Sequence, residues 1–138
     1  MATSSTYLHF QGNAAEAFNT YKDVFGGDFE RIMKYSDSPT QDDHATSNPD
    51  WIMHVTLNTN YGLTLQGSDR PTTFGPVNMG DAFFINLNVD TAADAKKIYE
   101  GLSKGGNVFM PLEKTFWAEL FGMFADKYGV QWMINYNG

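Results

Sequence analysis

Residues Thr115–Tyr136 read TFWAELFGMFADKYGVQWMINY, and this stretch decides how the chain ends. Leu120–Ala125 and Val130–Tyr136 are two apolar runs of strand length. Between them stands Asp126-Lys127-Tyr128-Gly129, whose glycine can take the positive φ of a tight turn. The pair is read as a β-hairpin that closes a sheet and walls a small-molecule pocket. The chain's densest aromatic cluster, around Phe116 and Trp117, lies just before it. In the second strand Trp132, Ile134 and Tyr136 alternate with Gln131, Met133 and Asn135, so the two sets face opposite sides of the sheet.

Upstream of the hairpin, Ala82–Val89 reads as a strand. Asp90 or Thr91 caps a helix running to Lys104, with Ala95, Ile98, Tyr99 and Leu102 on its inner face. Gly105-Gly106 ends that helix, and Asn107–Pro111 is a further strand. The first half repeats the order. Thr6–Phe10 is a strand, and Asn13 is expected to cap a helix over Ala14–Phe25 with Glu16 as its capping-box partner. Gly26-Gly27 terminates this helix. Phe29–Tyr35 follows as a strand with Phe29, Arg31, Met33 and Tyr35 on one side. Ser36–Asp50, poor in large apolar residues, is read as a loop. Trp51–Thr59 and Gly62–Gly67 pair across Asn60-Tyr61, and Ser68–Asp81 is a second loop.

The order is thus β-α-β-β-β twice, an internal duplication of elements without visible sequence identity. The expected fold class is α+β, a single domain over residues 1–138. Module one spans about 1–70 and module two about 80–138. Each module buries a helix on one sheet face and leaves the other face concave.

The net charge is −7, with no basic stripe, which argues against nucleic acid and anionic membranes as partners. The absence of cysteine removes disulfides, thiolate zinc sites and a cysteine nucleophile. MATSSTYLHFQGN has neither the basic nor the apolar segment of a signal peptide, and no run reaches membrane-spanning length. A cytoplasmic location is expected. GxGxxG, Walker and GxSxG patterns are absent, so phosphate-loop and hydrolase-elbow chemistry have no support.

TYLHFQGNAAEAFNTYKDVFGG, WIMHVTL followed by LTLQGSDRP, NLNVDTAADAKKIYEGLSKGG and TFWAELFGMFADKYGVQWMINY together resemble PhnB-like proteins. These are a branch of the glyoxalase/bleomycin-resistance/dioxygenase, or vicinal oxygen chelate, superfamily. The resemblance covers nearly the whole chain. It implies two βαβββ modules whose curved mixed sheets surround a central cleft, and commonly a homodimer. Superfamily enzymes hold a divalent metal in that cleft, with His or Glu ligands from the first and last strands of each module.

Letting the more apolar set of each strand meet the helix sends Leu8, Phe10, Met53, Val55, Leu57, Leu63, Leu65, Phe83, Ile85, Leu87, Trp132, Ile134 and Tyr136 underneath. The cleft then receives Tyr7, His9, Gln11, His54, Thr56, Asn58, Thr64, Gln66, Phe84, Asn86, Asn88, Gln131, Met133 and Asn135. The resemblance places the family's ligand positions at or near Tyr7, Gln66, Phe84 and Met133. None is a histidine or a carboxylate, so the usual metal site is expected to be missing and no cofactor is predicted.

His9 and His54 would make an acid–base pair or an off-pattern metal site if their strands are neighbours. The plainer reading is two hydrogen-bonded histidines. His44 and the Asp42-Asp43 pair lie in the polar loop and read as solvated. Glu119 is a candidate base with Trp117 desolvating it, against the plainer reading of a solvent-facing residue. Tyr7, Phe84, Phe116 and Trp117 offer rings for a planar ligand, or ordinary packing.

Two functions follow. One is a binding protein that holds a small molecule through Tyr7, His9, His54, Thr56, Gln66, Phe84, Asn86, Trp117 and Met133 without metal. The other is a glyoxalase-like lyase, isomerase or dioxygenase-type enzyme using His9, His54 or Glu119, with or without a divalent metal. A DNA-binding or methyltransferase role is disfavoured by the acidic charge and the lack of a glycine-rich cofactor loop.

Overall fold

A computed structural model describes residues 2–38 and 48–138. The expected loop residues Asp42, Asp43 and His44 lie outside the described residues. The chain divides into two compact units, Met1–Asn78 and Met79–Gly138. Unit one holds strand β1 (Thr6–Phe10), helix α1 (Ala14–Phe25), and strands β2 (Asp28–Lys34), β3 (Ile52–Asn58) and β4 (Thr64–Asp69). Unit two holds β5 (Ile85–Asn88), α2 (Ala92–Ser103), β6 (Asn107–Glu113), β7 (Leu120–Ala125) and β8 (Gln131–Tyr136).

The duplication extends to the pairing. One sheet is ordered β1-β4-β3-β2 and the other β5-β8-β7-β6. In each, the first strand runs parallel to the last, and the remaining pairs are antiparallel. This is the two-module βαβββ fold expected above, and neither sheet closes on itself.

Each unit buries one helix face against its sheet. Ala14, Ala17, Phe18, Tyr21, Val24 and Phe25 line α1, and Ala95, Ile98 and Leu102 line α2. Opposite them lie Val55, Leu57 and Leu65 in unit one, and Phe124, Trp132 and Ile134 in unit two. The Tyr99 and Phe124 rings meet edge-on at 5.6 Å between centroids, tying α2 to β7.

Both Gly-Gly pairs are dictated by crowding as well as by φ. Gly26 and Gly105 hold φ of 68° and 78°, the left-handed region that side chains avoid. At the second glycine of each pair a Cβ would run into a strand carbonyl, that of Asn58 at Gly27 and that of Ala125 at Gly106.

Several expectations change. Asn13 does not cap α1 through its side chain. The buried carboxylate of Asp69 does so from the far end of β4, accepting from the backbone N–H of Gly12 (2.8 Å) and Ala14 (3.0 Å) through Oδ1. Its Oδ2 accepts from Ile52 N–H at 2.9 Å. A charged acceptor shared by three donors satisfies the helix start better than a neutral amide would. Asp126 is likewise buried in the β7–β8 turn. It accepts from Tyr128 N–H and Val130 N–H at Oδ1 and from the Trp132 indole N–H at Oδ2, at 2.9, 3.0 and 2.9 Å.

The strand expected over Ala82–Val89 is shorter, and Phe83 is 89% exposed rather than beneath a helix. Leu63 falls just before β4, and Met53 is only half-buried. In β2 a bulge between Phe29 and Arg31 reverses the alternation. Phe29 therefore pairs with Leu57 on the helix side, where Lys22 of α1 lies 5.4 Å above its ring, while Arg31 pairs with Thr56 on the other face.

Candidate functional site

Parity assigns the helix-free face of each sheet, and the strand registers convert it into cross-strand rows. In unit one Tyr7 pairs with Gln66, Gln66 with Thr56, and Thr56 with Arg31. One polar row thus crosses β1, β4, β3 and β2. His9 pairs with Ser68 in the next row, and His54 pairs with Met33 on the far side of β3.

The histidine strands are not neighbours, because β4 separates β1 from β3. His9 and His54 are joined through Tyr7 instead. The Tyr7 ring lies edge-on to His9 at 5.6 Å and tilted to His54 at 5.7 Å. Its hydroxyl is 3.3 Å from His54 Nδ1, and His54 Nε2 is 2.9 Å from Thr56 Oγ1. The phenol, imidazole and hydroxyl form a short chain that starts at a 45% exposed tyrosine and ends at a buried threonine.

Arg70 fixes the state of His9. Its Nε–H donates to His9 Nδ1 at 3.1 Å, and its Nη1–H donates to the Pro76 carbonyl at 3.0 Å. A guanidinium has no acceptor, so Nδ1 must be the bare nitrogen and Nε2 carries the hydrogen. Burial and then the Arg70 charge hold the His9 pKa below its ordinary 6.5. His9 thus presents an N–H donor to a ligand, while the lone pair a general base would use is already engaged.

In unit two the corresponding row has a different chemistry. Asn86 pairs with Met133, Met133 with Met123, and Met123 with Met110. Phe84 stands one residue before β5, so Asn86 is the residue opposite Met133. Phe84 packs edge-on against Phe109 at 6.3 Å. Trp117 packs on Phe121 at 5.3 Å, and Phe116, almost fully exposed, on Trp117 at 4.8 Å. Asn135 Nδ2 donates to Asn88 Oδ1 at 3.1 Å, and Gln131 Nε2 to the Phe83 carbonyl at 2.7 Å.

Glu119 stands apart from both rows. Its side chain is 52% exposed, and Lys114 Nζ approaches it at 3.7 Å, a surface pair of small energetic weight. Among the described residues no three His, Asp or Glu side chains gather as a metal-binding group. Sequence reasoning missed Arg70, Met110 and Met123. Arg70 could have been found inside LTLQGSDRP, whereas the two methionines need the strand register to join Met133.

Two four-stranded mixed sheets of this topology, each with a helix packed on one face, define the glyoxalase-type class of folds. The chain belongs to the Glyoxalase/Bleomycin resistance protein/Dioxygenase superfamily, whose family model matches residues 6–134. It is similar to protein PA1353 of Pseudomonas aeruginosa, at 39% identity and TM-score 0.87 over 99% of this chain and 98% of that one. It is 28% identical to Protein YjdN of Escherichia coli (strain K12) over 95% of this chain and 92% of YjdN. The fold is also that of a Bacillus cereus protein described as "Putative 3-demethylubiquinone-9 3-methyltransferase, PhnB protein", at 24% identity, TM-score 0.81 and coverage of 98% and 99%. Among the described residues no helix is long and apolar enough to cross a membrane.

Proposed function

We propose that this protein binds a small molecule on a helix-free sheet face without the superfamily's usual divalent metal. The observation that carries this reading is the identity of the two residue pairs joining the first and last strands. The family likeness implies ligand positions at or near Tyr7, Gln66, Phe84 and Met133; Tyr7 pairs with Gln66 and Asn86 with Met133, and none of these is an imidazole or a carboxylate. A phenol, two amides and a thioether are a poor donor set for a hard divalent ion, so no step is routed through a metal. Phe84, the other position implied by the family likeness, offers no lone pair at all. Unit one would offer hydrogen bonds from Tyr7, His9, His54, Thr56 and Gln66, and unit two, taken by itself, apolar and amide contacts from Phe84, Asn86, Trp117 and Met133. The proposed protein is a cytoplasmic homodimer.

The test is elemental analysis of protein purified without chelator, run beside His9→Ala and His54→Ala. The reading expects substoichiometric metal in all three. Stoichiometric metal that disappears in either variant would overturn it.

A second reading rests on the contact between Tyr7 and His54. With the phenol donating to Nδ1, His54 Nε2–H donates to Thr56, and the pair could shuttle a proton in a lyase or isomerase reaction. His9, whose Nδ1 accepts from a guanidinium that has no proton to relay onward, and Glu119, exposed and paired with Lys114, are less well placed for that role. Turnover of an α-hydroxycarbonyl panel that is abolished in both Tyr7→Phe and His54→Gln would favour this reading over simple binding.

A further inference from the structure

The segment that follows β4 is fastened to the end of β1 by side chains. Arg70 N–H donates to the Phe10 carbonyl at 2.7 Å, which keeps the backbone of Arg70 against β1. Its guanidinium then makes two bonds, Nε–H to His9 Nδ1 at 3.1 Å and Nη1–H to the Pro76 carbonyl at 3.0 Å. Gln11, two residues beyond His9, accepts from Val77 N–H through Oε1 at 3.1 Å. Between these points the segment turns on itself, with Phe74 N–H on the Pro71 carbonyl and Gly75 N–H on that of Thr72. Residues 71–78 contain no charged side chain, and Phe74 and Pro76 are exposed.

The bond between His9 and Arg70 exists in one protonation state only. Nδ1 accepts from Arg70, and Nδ1 is also the atom that takes the proton when the ring becomes cationic. An imidazolium N–H at that place would face the guanidinium N–H, donor against donor and cation against cation. The groups around His9 do not offset this. From β1, Tyr7 brings a phenol ring edge-on. From β3, His54 is bonded to Tyr7 and Thr56 rather than to His9. From β4, Ser68 stands opposite, and the neighbouring Asp69 carboxylate is occupied by the N–H groups of Gly12, Ala14 and Ile52. Among the described residues no carboxylate forms an ion pair with His9. Burial and then the Arg70 charge favour the neutral ring.

We propose that residues 71–78 are an acid-released strap: a proton on His9 Nδ1 expels Arg70 Nε–H and, with it, the bond that Arg70 gives the Pro76 carbonyl. The inference goes beyond the binding function proposed above and does not depend on it. The guanidinium is a rigid planar fork, so turning Nε away from the imidazole swings Nη1 off Pro76. The Pro76 carbonyl then turns to water, and Gln11 holds Val77 through one neutral bond from an exposed side chain. The bond from Arg70 N–H to Phe10 involves no titrating group, so the end of β1 stays paired. The strap is closed at neutral pH and opens as pH falls through the folded His9 value. It is the last stretch of unit one before the chain enters unit two at Met79, so its release lengthens the free run of chain between the two sheets.

The experiment is an NMR titration of the full-length protein from about pH 8 to about pH 5, above the range in which carboxylates titrate. The His9 ring carbons, the Arg70 Nε–H and the Val77 amide are followed together. All three should move along one curve with the His9 midpoint, while the Ala14 and Ile52 amides, held by Asp69, do not. Exchange at Val77, corrected for its intrinsic pH dependence, should quicken about tenfold across that midpoint, the factor that one hydrogen bond is worth. Arg70→Met should leave Val77 in its fast-exchanging state already at neutral pH. His9→Asn, which keeps an acceptor near the place of Nδ1 but does not titrate, should keep the strap closed throughout. A His9 that titrates with Val77 unmoved would overturn the proposal. So would a Val77 response that survives in His9→Asn, an Arg70→Met protein with normal Val77 protection, or a His9 that stays neutral over the whole range.

Discussion

Asp69→Asn is the change that most directly tests how unit one is held together. The carboxylate is 1% exposed and accepts three backbone N–H bonds, joining the start of α1 to the start of β3 from the end of β4. An asparagine of the same shape has one acceptor and one donor. With its oxygen toward Gly12 and Ala14, its NH2 faces the Ile52 N–H, donor against donor. The flipped rotamer sets the NH2 against two donors and is worse. The lost bond to a charged group costs about 1.5–3 kcal/mol, and the stranded buried N–H about 1–3 more. The sum is about 2.5–6 kcal/mol, a large share of the roughly 5–15 kcal/mol that holds a domain together.

For a chain of this size, about 3 °C per kcal/mol predicts a melting temperature lower by about 8–18 °C. Circular dichroism melts read the total, and amide hydrogen exchange locates it. Faster exchange is expected at Ala14 and Ile52, while Tyr128 and Val130, held by Asp126 in the other unit, keep their protection. A loss below about 1 kcal/mol, or loosening spread evenly over both units, would refute the idea that Asp69 is the tie.

His9 should titrate below 6.5, and Arg70→Met should raise its midpoint toward that value, as read by the imidazole carbon shifts. Because the folded value is depressed, the linked stability is fully present above the unfolded value near 6.5 and is lost as pH falls through the folded one. Gly106→Ala drives a Cβ into the Ala125 carbonyl and should destabilise by about 1–3 kcal/mol in urea unfolding. Thr91→Ala removes the 3.0 Å bond from Asp94 N–H that caps α2 and should cost about 1 kcal/mol in the same assay. Trp132→Phe takes the indole donor from buried Asp126 and should cost about 1.5–3 kcal/mol, with loss of fluorescence from the one buried tryptophan among the described residues.

The fold was legible where one residue type answers one local demand. The spacing of Phe18, Tyr21 and Phe25 gave α1 its inner face, and Gly129, at φ 94°, gave the closing hairpin its turn. Such features depend on neighbours in sequence. Features that depend on partners distant in sequence were not legible. Asn13 has the right chemistry for a cap, yet the stronger acceptor arrives from Asp69, 55 residues away from Ala14. The bulge after Phe29 shifts the face of that strand, and alternation alone cannot reveal an inserted residue. Phe83 lies beyond the end of the pairing, where parity no longer assigns a face.

The candidate site follows the same division. Parity found the helix-free face, because alternating side chains need only the strand's own residues. It could not find the rows, because a row is a relation among four strands. His9 and His54 make a pair only if their strands are neighbours, and the sequence does not give the strand order. The register separates them by a strand, and the real partners are Arg70 for one, Tyr7 and Thr56 for the other. Met133 had been notable only for what it lacks as a ligand. Aligned with Met123 and Met110, it belongs to an apolar row whose counterpart in unit one is polar. Duplication supplied two copies of one scaffold, and a few substitutions at equivalent row positions separate a hydrogen-bonding surface from a sulfur-lined one. A ligand recognised by the polar row should lose affinity on Gln66→Leu and be indifferent to Met123→Gln, because the hydrogen bonds come from unit one alone. The reverse pattern would place recognition on the methionine row instead.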